Sequence, residues 1–210
     1  MQFASREDAG RQLGNFLRNE RIQTDLVLGL PRGGVVVAAE VARALNRPLD
    51  VLVVRKIGHP FHREFAVGAL AEPDVFICDQ SSIHDLPRAE LDAVIAEEKT
   101  KLADYAARFH RHSVPELTGK AVLLVDDGIA TGATTEAAIL SARQRGARAV
   151  CVAAPVAATG AFERLSQVAD HVSALLVDPG FHAVGQYYAE FTQTTDEEVL
   201  AILSQFPPAA

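Results

Sequence analysis

The chain has 210 residues, 49% of them hydrophobic, and a formal net charge of -7. That length and apolar content suit one globular domain with a sizeable core and exclude a disordered chain. The acidic balance argues against a broad nucleic-acid surface, and no apolar run approaches the roughly 20 residues that span a bilayer.

The N-terminus, from Met1 to Glu7, lacks the pattern of a signal peptide. Cys78 and Cys151 have no C-x-x-C spacing and sit in apolar runs. They are expected to be buried thiols in a reducing cytoplasm, which makes the cytoplasm the expected location. Ser5 to Arg18 carries Ala9, Leu13, Phe16 and Leu17 at helical spacing, with Ser5 and Asp8 as a capping start. Leu26 to Leu30 reads as a first buried strand, Pro31-Arg32-Gly33-Gly34 as a tight turn, and Val35 to Leu45 as a helix. Leu49 to Val54 is a second strand, so the three make a βαβ unit and hence a parallel sheet.

Arg55 and Lys56 end that second strand, and Ile57 to Arg63 then loses all periodicity, as a mobile loop would. Phe65 to Leu70 and Val75 to Cys78 read as two short strands joined across Pro73-Asp74, an excursion from the main sheet. Pro87 to about His112 is helical, with Leu91, Ile95, Leu102, Tyr105 and Phe109 on one side. Glu90, Glu97, Lys101 and Arg108 lie on the other, the usual solvated face.

Ala121 to Val125 is a continuous, β-branched apolar run suited to a strand buried on both faces. Asp126-Asp127-Gly128 and a small hydroxylated loop follow it, and a helical pattern resumes at Glu136. The loop should therefore lie at the carboxyl end of the strand, with its amides at a helix N-terminus, a ready anion site. Beyond it come a strand at Ala147 to Ala154, a short helix at Ala161 to Val168 and a strand at Val172 to Val177. An irregular aromatic stretch covers Phe181 to Phe191, and Thr195 to Glu198 is a capping box that starts a terminal helix through Leu203. The fold class expected is α/β, a doubly wound and mainly parallel sheet with flanking helices. Residues 1–210 form one domain, with a lid region near 55–112 and a hood segment near 178–210.

A bare Asp-Asp-Gly would fit an ordinary βα turn. A phosphate cradle beside two carboxylates suggests a sugar phosphate, with hydroxyls on Asp126 and Asp127 and phosphate on Ile129, Ala130, Thr131, Gly132, Ala133 and Thr134. No Lys follows Gly132, so this is not a P-loop, and Gly128 and Gly132 do not fit G-x-G-x-x-G. The histidines have poor ligand spacing, which predicts no protein metal site. Ser81, Ser82 and Ser113 lack a nucleophile-elbow context.

The stretch from Val122 to Thr135 resembles the phosphoribosyl-pyrophosphate (PRPP) signature of the type I phosphoribosyltransferases, and the resemblance covers Leu26 through Val177. The turn Leu30-Pro31-Arg32-Gly33-Gly34, the run Val54-Arg55-Lys56-Ile57-Gly58 and the run Val184-Gly185-Gln186-Tyr187-Tyr188 occur together in uncharacterised bacterial stand-alone members. The resemblance implies displacement of pyrophosphate from ribose C1 by a nitrogen nucleophile, with Mg²⁺ arriving on PRPP. It implies Asp126 and Asp127 on the ribose, and Pro31, Arg32, Gly33 and Gly34 on the diphosphate. Pro31–Arg32 is expected as a cis bond. Arg55, Lys56 and also Arg63 would gather charge for the diphosphate, and Ile57 to Arg63 would close as a lid.

The acceptor is expected to be a planar nitrogen heterocycle such as a nucleobase, walled by Tyr187 and Tyr188; both could instead be core. A homodimer is open, and neither membrane nor nucleic acid is an expected partner. Two rivals remain. One is a regulatory module that binds PRPP or nucleotide without turnover; no appended DNA-binding segment is visible. The other is a hydrolase or isomerase using the acidic pair, which leaves Pro-Arg-Gly-Gly unexplained.

Overall fold

The computed structural model describes residues 2–78, 83–84, 86–110 and 114–207, with backbone alone at 64. Ser81, Ser82, His112 and Ser113 lie outside these residues. The core is a five-stranded parallel sheet of β1 (Leu26–Gly29), β2 (Leu49–Val51), β6 (Ala121–Val125), β7 (Ala149–Ala158) and β8 (His171–Asp178), in the order β2-β1-β6-β7-β8. Leu28 pairs with Asp50 on one side and with Leu124 on the other. All residues of β1 and β6 are buried, which explains their unbroken apolar sequence.

Alternate side chains of these strands feed two cores. Val27, Leu123 and Val125 face α1 (Arg6–Asn19), α2 (Gly33–Leu45), α3 (Arg88–Phe109) and α6 (Asp196–Leu203). Leu26, Leu28, Val122 and Leu124 face α4 (Ala133–Gln144) and α5 (Thr159–Leu165). The expected doubly wound sheet is what forms. The Ser5 hydroxyl accepts the Asp8 amide, and Thr195 and Glu198 make the capping box of α6. No described helix is long and apolar enough to cross a membrane.

Several ends shift by a few residues, as at β7, which reaches Ala158 rather than Ala154, and two departures from the sequence reading change the topology, each for a visible reason. The run Leu49 to Val54 is not one strand: β2 stops at Val51 and β3 (Val54–His59) joins a separate antiparallel sheet, β3-β4-β5. Leu52 and Val53 bridge the two sheets and stay buried, so hydrophobicity gives no sign of the break. There the Val53 amide donates to Glu72 Oε1 (3.1 Å), a side chain taking the place of a ladder carbonyl.

The expected loop at Ile57 to Arg63 is instead a hairpin between β3 and β4 (His62–Ala71), reversing at Pro60-Phe61. Arg55 and Lys56 thus lie inside β3. The register shifts between Ile57 and Gly58 and between Gly58 and His59. Such bulges break the two-residue alternation by which strands are recognised. The excursion itself is as expected, with β4 pairing β5 (Val75–Cys78).

This small sheet and α3 are fastened to the core by a buried charge cluster. His110, just beyond α3, reaches Glu72 at 2.8 Å and Asp50 of β2 at 3.6 Å. Arg145 lies 3.7 Å from Glu72. The Ser141 hydroxyl donates to the Glu72 carbonyl.

Candidate active site

In a doubly wound sheet, ligands bind beyond the carboxyl ends of strands where the chain order reverses. Here that point lies between β1 and β6, because β2 flanks β1 on one side and β6 on the other. The turn after β1 carries Pro31 to Gly34, and the turn after β6 carries Asp126 to Gly132. The Leu30 amide donates to the Val125 carbonyl at 2.9 Å, tying the two turns together. The Pro31–Arg32 peptide is cis, as expected.

The two glycines bring the loops into contact. A Cβ at Gly34 would come within 2.8 Å of the Val125 carbonyl and 2.9 Å of Asp126 Oδ1. A Cβ at Gly33 would fall 2.0 Å from Asp127 Oδ2. The first loop can therefore lie directly on the acidic pair only without side chains at these positions.

The acidic pair divides into two environments. Asp126 is half-buried in a cavity wall, and its Oδ1 accepts the Asp127 amide at 2.8 Å. Desolvation, and next the charge of Asp127, push its carboxyl well above the usual carboxylate range. Asp127 Oδ2 instead pairs with Arg6 Nε at 2.7 Å. Its backbone carbonyl accepts the Tyr188 hydroxyl at 2.6 Å.

The second loop runs into α4 through Gly132, whose φ of +73° is a conformation L side chains rarely adopt. First-turn amides of a helix have no helical acceptor and can face an anion. Arg164 braces this loop from outside, donating to the Thr131 carbonyl and pairing with Glu136. Ala130 and Thr131 are exposed, and Thr134 lines the same cavity as Asp126. Ile129 departs from its expected role. Its amide donates to Val156 and its carbonyl accepts from Ala158, so both groups extend the sheet rather than face a phosphate.

That cavity, of about 660 Å³, is also lined by Pro31, Arg55, Lys56, Gly58, Arg63, Glu97, Glu98 and Lys101. The expected cations Arg55, Lys56 and Arg63 thus stand together. Arg55 is paired with Glu98 at 2.8 Å and Arg63 with Glu97 at 3.1 Å. Arg32 lies apart from them. Its guanidinium is 3.4 Å from Asp196 and lines a second cavity of about 320 Å³, with Arg6, Gly33, Phe191 and Thr192 to Thr194.

Tyr187 and Tyr188 are buried with Phe3 and Val156. At 4% exposure each, they offer no open ring face, so in this structure the wall expected of them is packing. Within the late aromatic stretch Phe191 is the exposed ring, 41% exposed and stacked on Tyr188 with centroids 5.3 Å apart.

Sequence reasoning missed Arg6 and Glu98, and among the late aromatics, Phe181, Tyr187, Tyr188 and Phe191, it favoured the two tyrosines over Phe191. Glu98 carried a signal. It falls at helical spacing within the stripe of Leu91, Val94, Leu102, Tyr105 and Phe109, where a carboxylate must find a partner. Arg6 carried none, since its partner is 121 residues away.

A phosphoribosyl transferase domain model matches residues 4–172 of this chain. Two Mycobacterium tuberculosis proteins, provisionally named phosphoribosyl transferases, are 46% identical over 207 residues, 97% of this chain. The chain spans about half their length, 46%. A Thermus thermophilus crystal structure superposes with a TM-score of 0.82 at 43% identity, covering 99% of this chain and 100% of that one. An Aquifex aeolicus structure, at 14% identity and TM-score 0.52, shares the fold over 82% of this chain and 74% of its own.

Proposed function

The chain belongs to the phosphoribosyl transferase domain family, and from that premise we propose that it transfers the phosphoribosyl group of PRPP to a planar nitrogen acceptor, releasing pyrophosphate. The observation that carries this reading is the convergence of the Gly33-Gly34 loop and the Asp126-Asp127 loop at one switch point. A phosphate cradle, a carboxylate pair and a second anion loop match the three parts of PRPP in order.

In this reading the acceptor nitrogen attacks ribose C1 as the bond from C1 to the diphosphate oxygen breaks. Pyrophosphate leaves with the electron pair, and the acceptor's proton passes to solvent. Asp127 accepts ribose hydroxyls and steadies positive charge near C1. Asp126, beside it in the cavity wall, contacts the neighbouring ribose hydroxyl. The amides at Gly33 and Gly34, with Arg55 and Lys56, hold the diphosphate. The amides and hydroxyls from Ala130 to Thr134 hold the 5-phosphate. Holding both ends of the sugar phosphate and excluding water supplies most of what such a transfer needs.

Magnesium would enter with the diphosphate. Among the described residues no cluster of three ligating side chains would hold a metal alone, whereas the Asp126 carboxyl and Thr134 hydroxyl in the cavity suit a hard cation. When bound, the ion neutralises the leaving group. For the acceptor, the cavity beside Phe191 supports a stacked planar ring, with Thr194 and the backbone of 192–194 to read its edge.

The test is calorimetry of Mg²⁺-PRPP binding to the wild-type chain and to Asp127→Asn, alongside pyrophosphate release with mixed bases. Losing charge-assisted bonds worth roughly 1.5–3 kcal/mol each should weaken PRPP binding at least about tenfold. Base-dependent pyrophosphate release supports transfer. Release without a base points to hydrolysis, and binding without release to a regulatory module. Undiminished PRPP binding by Asp127→Asn would overturn the site.

A further inference from the structure

We propose that Arg6 is a positioning residue that sets the Asp127 carboxylate for the ribose and ties it to the acceptor-side segment 188–194. This rests on the transferase reading above, and it concerns a residue outside both ligand loops.

Backbone pairing puts Arg6 in place. The Phe3 amide donates to Tyr187, and the amides of Ala189 and Glu190 donate to Phe3 and Ala4. This ladder zips the N-terminal segment to the late aromatic stretch. Ser5 then caps α1, and Arg6 is its first residue.

From there one side chain meets three parts of the site. Its Nε donates to Asp127 Oδ2 at 2.7 Å. Its Nη1 donates to the Thr192 carbonyl at 2.7 Å. Its guanidinium carbon lies 4.0 Å from the centroid of the Phe191 ring. The Arg6 and Asp127 side chains are 11% and 15% exposed, so water screens the pair little.

The pair also rests on the diphosphate loop. A Cβ at Gly33 would lie 2.7 Å from Arg6 Nε as well as 2.0 Å from Asp127 Oδ2. Arg6 thus occupies Asp127 Oδ2 through Nε while its Nη1 is held by the Thr192 carbonyl, two directed donors on one rigid guanidinium that leave Oδ1 for a ligand. A planar acceptor on Phe191 would share that ring with Arg6, so acceptor and ribose carboxylate are joined through one guanidinium.

The experiment is a double-mutant cycle on Mg²⁺-PRPP affinity with Arg6→Gln, Asp127→Asn and the double variant, using pyrophosphate as a control ligand and reading melting temperatures. If Arg6 acts through Asp127, each single variant loses about tenfold and the double loses no more than about twofold beyond Asp127→Asn. Pyrophosphate affinity stays within about twofold of wild type, because the coupling acts on the ribose carboxylate. Arg6→Lys recovers part of the loss, and it replaces Arg6→Gln in the cycle if that variant does not fold. Additive losses, or equal losses for PRPP and pyrophosphate that follow a lowered melting temperature, would overturn the positioning role alone. Failure of the wild-type chain to bind Mg²⁺-PRPP would overturn the transferase reading, and this role with it.

Discussion

His110→Gln should remove a pH dependence of stability that the wild-type chain shows between about pH 6.5 and 9. The His110 side chain is 4% exposed and faces the Asp50 and Glu72 carboxylates, with Arg145 beside Glu72. Burial draws its pKa down, but the nearby Asp50 carboxylate at 3.6 Å and the hydrogen-bonded Glu72 carboxylate outweigh this and raise it from 6.5 to about 9. At 1.36 kcal/mol per pK unit, that difference from the unfolded chain is worth about 3 kcal/mol. The folded pKa is the higher one, so this stability is complete below pH 6.5 and is lost as pH rises through 9. For a chain of this size, about 3 kcal/mol is a melting shift of about 6–12 °C. Melting temperatures of both proteins from pH 6 to 10 provide the assay. The wild type should fall across the window, while His110→Gln starts lower and stays flatter. Their difference cancels the titrating groups outside the cluster of His110, Asp50, Glu72 and Arg145. Equal slopes in the two proteins would refute the assignment of charge to His110.

Gly33→Ala places a methyl 2.0 Å from Asp127 Oδ2, so the two loops must separate. A misplacement of that order should lower kcat/KM about a hundredfold. Steady-state kinetics beside a wild-type melting curve would check it. Tyr188→Phe removes the bond to the Asp127 carbonyl and should cost about 1 kcal/mol, read from a denaturant midpoint. Phe191→Ala should weaken acceptor binding by about 1–3 kcal/mol, with a smaller loss of PRPP affinity through the Arg6 contact it removes. If instead Tyr188→Phe alone impairs the acceptor, the acceptor surface is not the Phe191 ring.

Local chemistry and periodicity along the chain determined much of this protein. The apolar runs at Leu26 and Ala121, each ending in a glycine-punctuated turn, specify buried parallel strands with ligand loops at their carboxyl ends. Ser5 and the Thr195-to-Glu198 box carry their own capping bonds, so the starts of α1 and α6 were legible. The Asp126-Asp127 pair and the Pro31-to-Gly34 turn were legible as a site because each is a contiguous motif.

What remained needed tertiary structure, because it depends on residues far apart in the chain. Bulges at Gly58 erased the alternation that marks a strand, so the hairpin looked like a loop. The Glu72 carboxylate ended a ladder that the apolar run Leu49 to Val54 would otherwise continue. Whether Tyr187 and Tyr188 or Phe191 presents an open ring was decided by Phe3 and Val156, which bury the first two. Arg6 meets Asp127 only because the N-terminal segment pairs with residues 187–190, and no spacing along the chain encodes that distance.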